Sequence, residues 1–208
     1  MKTWLVSLLL CASVAQATPL ERALTAYAQG DRRAAQRGFT ALAGQGVPLA
    51  QFNLAMMHLR RELPRPSDAT AWTLLNRAAA QGSGLAENAI GQMIEQGRHG
   101  RADKTKACDW FERAARHGDA DGALAVATCF YLGRGRPVDM AQAHRWYLEA
   151  ATSGDVGAQY LVASMFEAGL GVETDLRLAR YWYDAAAKNG DAAAQFKVIE
   201  LDRMANAS

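Results

Sequence analysis

Beyond residue 15 the sequence has no apolar run approaching the roughly 20 residues that cross a bilayer, so no transmembrane helix is predicted there. Charge of one sign is equally scarce. The 23 Lys and Arg residues stand against 21 Asp and Glu, a formal net charge of +2. Nucleic-acid binding draws on a clustered basic excess, which this balance does not supply. Recognisable catalytic motifs are missing too. There is no His-Glu-x-x-His, Cys-x-x-Cys, Gly-x-Ser-x-Gly or Ser-x-x-Lys, and no glycine loop leading into Lys-Ser/Thr. At the motif level this argues against the common zinc, redox, acyl-transfer and nucleotide chemistries. Half of the residues are hydrophobic and 21% are charged, enough to bury a core and remain soluble.

The one long apolar run is at the start. Residues 4 to 15 (WLVSLLLCASVA) follow Lys2, and Ala15-Gln16-Ala17 offers the small residues a signal peptidase requires. A signal peptide over 1–17, cleaved after Ala17, predicts a periplasmic or secreted protein. Losing Lys2 leaves 22 basic and 21 acidic residues, a net of +1. The alternative leader is that of a lipoprotein with Cys11 as the lipidated residue, but Leu10 precedes it where a small residue is wanted.

What the chain does have is repetition. Gly46, Gly82, Gly118, Gly154 and Gly190 recur every 36 residues. They delimit four units, 46–81, 82–117, 118–153 and 154–189, and a closing half unit. Four residues after each glycine stands Ala50, Ala86, Gly122, Ala158 or Ala194. Eight after it stands Leu54, Ile90, Val126, Val162 or Val198, followed in the four full units by a small residue (Ala55, Gly91, Ala127, Ala163). Apolar and small residues at i, i+4 and i+5 mark one face of a helix, helix A. Helix B repeats Ala71, Ala107, Ala143 and Ala179, then Leu74, Trp110, Trp146 and Trp182, then an alanine pair that a glycine follows as C-cap. Each unit is a hairpin that cannot bury its own apolar face, so units must stack. The fold class expected is all-α, an α-solenoid or right-handed superhelix of stacked antiparallel helical hairpins. Residues 18–45 read as an N-terminal capping hairpin. Residues 190–208 read as a C-terminal capping helix and tail, with Lys197, Glu200, Asp202 and Arg203 as its polar outer face.

Segments such as GDVGAQYLVASMFEAGLGVETDLRLARYWYDAAAKNG closely resemble the Sel-one-like repeat family, relatives of tetratricopeptide repeats. The resemblance covers nearly all of the mature chain. Unit one departs from it, with Arg61 and Leu63 in place of both loop glycines and Pro64 and Pro66 following, so its loop is expected to differ in shape. Some cysteine-rich secreted members are described as β-lactam-binding or weakly hydrolysing. Here no serine is activated by a lysine.

Cys108 and His144 share a column of neighbouring units, about 10 Å apart by helix packing, whereas proton transfer needs about 3 Å. No catalytic residue, cofactor or metal site is therefore expected. His58, His99 and His117 fall in three different columns. Cys108 and Cys129 flank the turn between units two and three at equal height, as a disulfide would require; the other reading is two buried free thiols. The resemblance adds that cysteine-rich members bridge helix B to the next helix A, from columns nearer the turn. The tryptophan column reads as core, each member preceding an aromatic and lying four residues before an alanine pair.

By the resemblance, helix A lines the concave surface. That assigns a partner-binding groove to Leu49, Phe52, Met56 and Leu59, then Asn88, Gln92 and Glu95, then Leu124, Thr128 and Tyr131, then Tyr160, Ser164 and Glu167, then Phe196 and Glu200. Such a row suits an extended peptide or a helix; the bland alternative is that part of it packs the superhelix. A second surface is the loop edge bearing Arg60, Arg61, Arg65, Arg98, Arg101, Lys104, Lys106, Arg134 and Arg136, which could meet an anionic polysaccharide. The function expected is a noncatalytic, monomeric scaffold for protein partners in the bacterial envelope. The alternatives are an enzyme of the β-lactam-binding kind and a binder of anionic envelope polysaccharide.

Overall fold

The computed structural model describes residues 17–206; the apolar leader and Cys11 lie outside the described residues. Among the described residues are eleven helices and no strand. They are α1 (Pro19–Ala28), α2 (Arg32–Gly44), α3 (Pro48–Leu59), α4 (Asp68–Ala79), α5 (Gly84–Glu95), α6 (Lys104–Arg116), α7 (Ala120–Leu132), α8 (Met140–Thr152), α9 (Val156–Ala168), α10 (Leu176–Lys188) and α11 (Ala192–Asn206). Short polar residues start most of them. Asp31, Ser67, Ser83, Asp103, Asp119, Asp139 and Asp155 each accept the N–H three residues on, a cap worth about 1 kcal/mol. α3 has no side-chain cap, but Pro48 fills its first position, where a missing N–H costs nothing. The recurring glycines sit between each B helix and the next A helix with φ of 78 to 99°.

Each helix packs on its neighbours in sequence, and the A helices of units two and three, α5 and α7, also meet directly. The small columns set that spacing. Ala50, Ala86, Ala158 and Ala194 are fully buried, as are Ala55, Ala127 and Ala163. In unit two the Phe111 ring takes the room of a side chain: a Cβ on Gly91 would lie 2.5 Å from it. The deepest aromatic column is Phe111, Tyr147 and Tyr183, at 1 to 3% exposure. The tryptophans, one position back, turn toward the surface. Only Trp146 is buried, while Trp110 and Trp182 are half-buried. Arg113 lies over Trp110 at 4.1 Å and Arg145 over Trp146 at 4.8 Å.

The apolar core is divided. One cluster runs from Ala23 to Met93 and the other from Ala107 to Leu201. Near the division lies Glu87, wholly buried, its carboxylate 2.9 Å from Arg113 Nη2 and 2.6 Å from His117 Nδ1. Gln51 and Gln159 hold the same column as neutral amides. They donate to the Ala43 and Ala151 carbonyls and accept from Gln81 and Asn189. Nearby, burial raises the Asp119 carboxyl above the usual carboxylate range, partly offset by the Gly122 N–H it accepts.

A disulfide joins Cys108 on α6 to Cys129 on α7, 21 residues apart with Cα atoms 6.2 Å from each other. It links units two and three. The same two columns hold Trp72 and Met93 one unit earlier, and His144 and Met165 one unit later.

The unit-one loop begins like the others, because Arg61 adopts the left-handed φ of 60° that Gly97, Gly133 and Gly169 take at 66 to 69°. Beyond that residue it differs, as expected: Leu63 lacks the left-handed φ of 70 and 71° that Gly135 and Gly171 take, and the far end closes differently. There Ser67 N–H donates to His58 Nδ1 (3.1 Å), where Asp103, Asp139 and Asp175 donate to the carbonyls of Ile94, Phe130 and Phe166. The outer face of the last helix is mixed. Glu200 and Arg203 are exposed as expected, whereas Lys197 and Asp202 turn back onto unit four, pairing with Glu167 and Arg180, and Phe196 and Ile199 stand beside them at 74% and 48% exposure. With no B helix packed on α11, Ile199 stands where earlier units bury an alanine or glycine.

Candidate partner-binding groove

The expected groove residues divide by what they touch. Phe52, Met56 and Leu59 are half-buried, packed on one side against the N-terminal apolar cluster, and Leu49 is half-buried beside them. Tyr131 and Tyr160 are also half-buried, edge-on to Tyr147 and Tyr183 with centroids 6.1 and 5.1 Å apart. Glu167 accepts from the Tyr183 hydroxyl (2.7 Å) and from Lys197 Nζ (2.9 Å). Burial alone would raise the Glu167 carboxyl; those two donors outweigh it and hold it below its ordinary value. Burial, with the Glu167 bond, pushes the Tyr183 hydroxyl well above its own. Ser164 is half-buried beside this pair, and Phe196 and Glu200 lie on the exposed final helix.

The remaining residues converge. Asn88, Gln92 and Glu95 from α5 face Leu124 and Thr128 from α7 across a cavity of about 470 Å³. Phe111 and Cys129 of the disulfide contribute to its lining, as do Gln96, Asp121 and Arg134. Asn88 is 5% exposed and accepts from the Gln92 amide at 3.4 Å. The Thr128 hydroxyl donates to the Leu124 carbonyl (2.9 Å) and lies 3.2 Å from the Tyr147 hydroxyl. Glu95, Asp121 and Arg134 have no hydrogen bond or ion pair from their side chains among the described residues. The cavity thus offers amides, one hydroxyl, an apolar patch at Leu124 and uncommitted charge of both signs. Asp121 was not expected in the groove. Its signal was present, because Leu49 belongs to the column that continues as Leu85 and Asp121.

The basic loop edge is partly neutralised, with four of its nine cations in ion pairs. Arg61 and Arg98 share Asp68, at 3.2 and 3.0 Å. Lys106 pairs with Asp103 at 3.3 Å. Arg136 holds Asp109 and Glu112, each at 3.0 Å, over the Phe130 ring. Arg60 donates to the Tyr27 hydroxyl at 3.0 Å. Arg65, Arg101, Lys104 and Arg134 keep uncommitted side chains. No group of three or more metal-ligating side chains occurs among the described residues, and the Cys108 sulfur is bonded to Cys129.

Stacked hairpins enclosing a shared inner groove define a helical-repeat scaffold. This chain belongs to the Sel1 repeat family, whose repeat matches residues 48–83, 84–119, 120–155 and 156–191. Proteins built from this repeat are typically protein-interaction scaffolds. Among solved structures, the chain is similar to a Sel1 repeat protein from Oxalobacter formigenes, with 33% identity and a TM-score of 0.78 over 82% of this chain and 50% of that one. It is also similar to c5321, a protective antigen present in uropathogenic Escherichia coli strains that displays an SLR fold. There the identity is 25% and the TM-score 0.77, over 86% of this chain and 40% of the other. The chain thus spans half, or less, of the length of these two relatives. No curated protein matches it. No helix among the described residues is long and apolar enough to cross a membrane.

Proposed function

We propose that this protein is an exported, noncatalytic scaffold of the bacterial envelope that receives a segment of a partner protein, as extended peptide or helix, in its concave groove. The cavity between α5 and α7 carries this reading. Rigid helices hold its walls, and it sets adaptable amides and unpaired charge around an apolar patch, the mixture that fixes a peptide's register. Export follows from the leader over 1–17, and a disulfide between units suits an oxidising compartment. A related protein that acts as a protective antigen is in keeping with an exported family member.

The test places a photocrosslinking residue at Gln92 or Leu124, with a control at Thr73 on the exposed side of α4, in cells. The expected result is one crosslinked envelope protein from the groove sites, lost from the Gln92 site when Leu124→Asp is added, and a mature N-terminus at Thr18. Equal crosslinking from Thr73 would remove the groove from the interface. A chain that retains residues 1–17 would remove export.

A further inference from the structure

A second cavity lies at the loop edge, away from the groove. Its origin is a difference between loops. In unit three Gly135 presses onto the start of α6, where a Cβ would lie 2.5 Å from the Lys104 carbonyl, and Gly171 of unit four meets Met140 in the same way. Unit two has His99 at this position. Its ring lies on Trp72 of α4, centroids 4.4 Å apart and planes at 17°, while Arg98 anchors the loop through Asp68 and the Leu59 carbonyl, each at 3.0 Å. Between this loop, the start of α6 and Gly135 opens a cleft of about 990 Å³.

The cleft is amphipathic. Trp72, His99 and Ile94 supply a flat, weakly polar wall, and Arg101, Lys104 and Lys106 supply cations. Its one carboxylate, Asp103, already caps α6 and pairs with Lys106. Arg101 and Lys104 are exposed and uncommitted, unlike most cations of this edge.

We propose that this cleft is a binding site for an anionic carbohydrate, a sugar chain bearing carboxylates, with the face of one ring on the His99–Trp72 stack and its carboxylates on Arg101 and Lys104. A simple anion would leave the aromatic wall unused, and a neutral sugar would leave the cations unanswered. A single-stranded nucleic acid wants a succession of aromatic platforms; here there is one stacked pair.

The test is calorimetric titration of the full mature protein with tetragalacturonate, alongside cellotetraose, octathymidylate and inorganic phosphate, at low and physiological salt. Saturable binding of tetragalacturonate that weakens with salt is expected. Arg101→Glu with Lys104→Glu should weaken it by about tenfold or more, as loss of two charge-assisted contacts implies. His99→Ala should weaken it less, with helical circular dichroism unchanged in both. No saturable binding, or unaltered binding by the charge-reversed variant, would overturn the proposal. So would cellotetraose binding as tightly, octathymidylate binding more tightly, or phosphate displacing the glycan at equal concentration.

Discussion

Reduction of the Cys108–Cys129 disulfide should soften the middle of the array by an amount that its loop length sets. The bridge closes 21 residues of chain. In the chain-entropy account, a loop of this size restricts the unfolded ensemble by about 3 kcal/mol at 25 °C. For a chain of this size, each kcal/mol moves the melting midpoint by about 2 to 4 °C, so full reduction should lower it by about 6 to 12 °C. Cys108 and Cys129 are only 2% and 4% exposed, so reduction should itself require opening of the α6–α7 interface. The control is Cys129→Met with Cys108→Ala, because Met57, Met93 and Met165 already fill the Cys129 column. The assay is thermal unfolding by circular dichroism with and without reductant, with thiols counted under denaturant. The mature chain, without Cys11, should show no free thiol and a reductant-dependent midpoint; the variant should ignore reductant. An unchanged midpoint in a fully reduced native chain would refute the reasoning, as would two free thiols before reduction.

Mild acid should destabilise the fold through His58 and His144, whose pKa values burial lowers from the ordinary 6.5. The unfolded chain takes up protons first, so stability is whole above that value and declines as pH falls toward the folded values. His144 Nε2 is buried without a hydrogen bond. His144→Leu should therefore flatten the decline and leave stability at neutral pH equal or about 1 kcal/mol higher, and denaturant melts from pH 7.5 to 5.5 would expose an unchanged slope. The Glu87 site should respond asymmetrically, because the carboxylate is fully buried while Arg113 and His117 are about half exposed. Arg113→Leu with His117→Leu should cost about 3 to 5 kcal/mol by stranding the anion. Adding Glu87→Gln, the residue already used at Gln51 and Gln159, should restore most of it; equal stability of the two variants in denaturant melts would reject this account.

The repeat itself was legible in the sequence because its cause is local. A glycine every 36 residues marks each turn, capping residues mark most starts, and alanine columns mark the faces where helices meet, so period, hairpins and stacking follow from spacing alone. Position in the superhelix was not local. Phe52 and Asn88 share one column, yet one packs on the N-terminal core and the other lines the groove cavity, since curvature and the neighbouring unit decide what a column faces. The tryptophan column does belong to the core, with Trp146 inside it and Trp110 and Trp182 packed against it, but only the structure shows that Phe111, one step along helix B, lies deeper than Trp110. Whether two cysteines at equal height face each other depends on helix rotation, and here they do. The cations at the loop edge formed one stripe by composition. Only the folded arrangement, bringing Asp68 to Arg98 and Glu112 to Arg136 from distant positions, showed which of them are already committed and which, with Arg101 and Lys104, remain open.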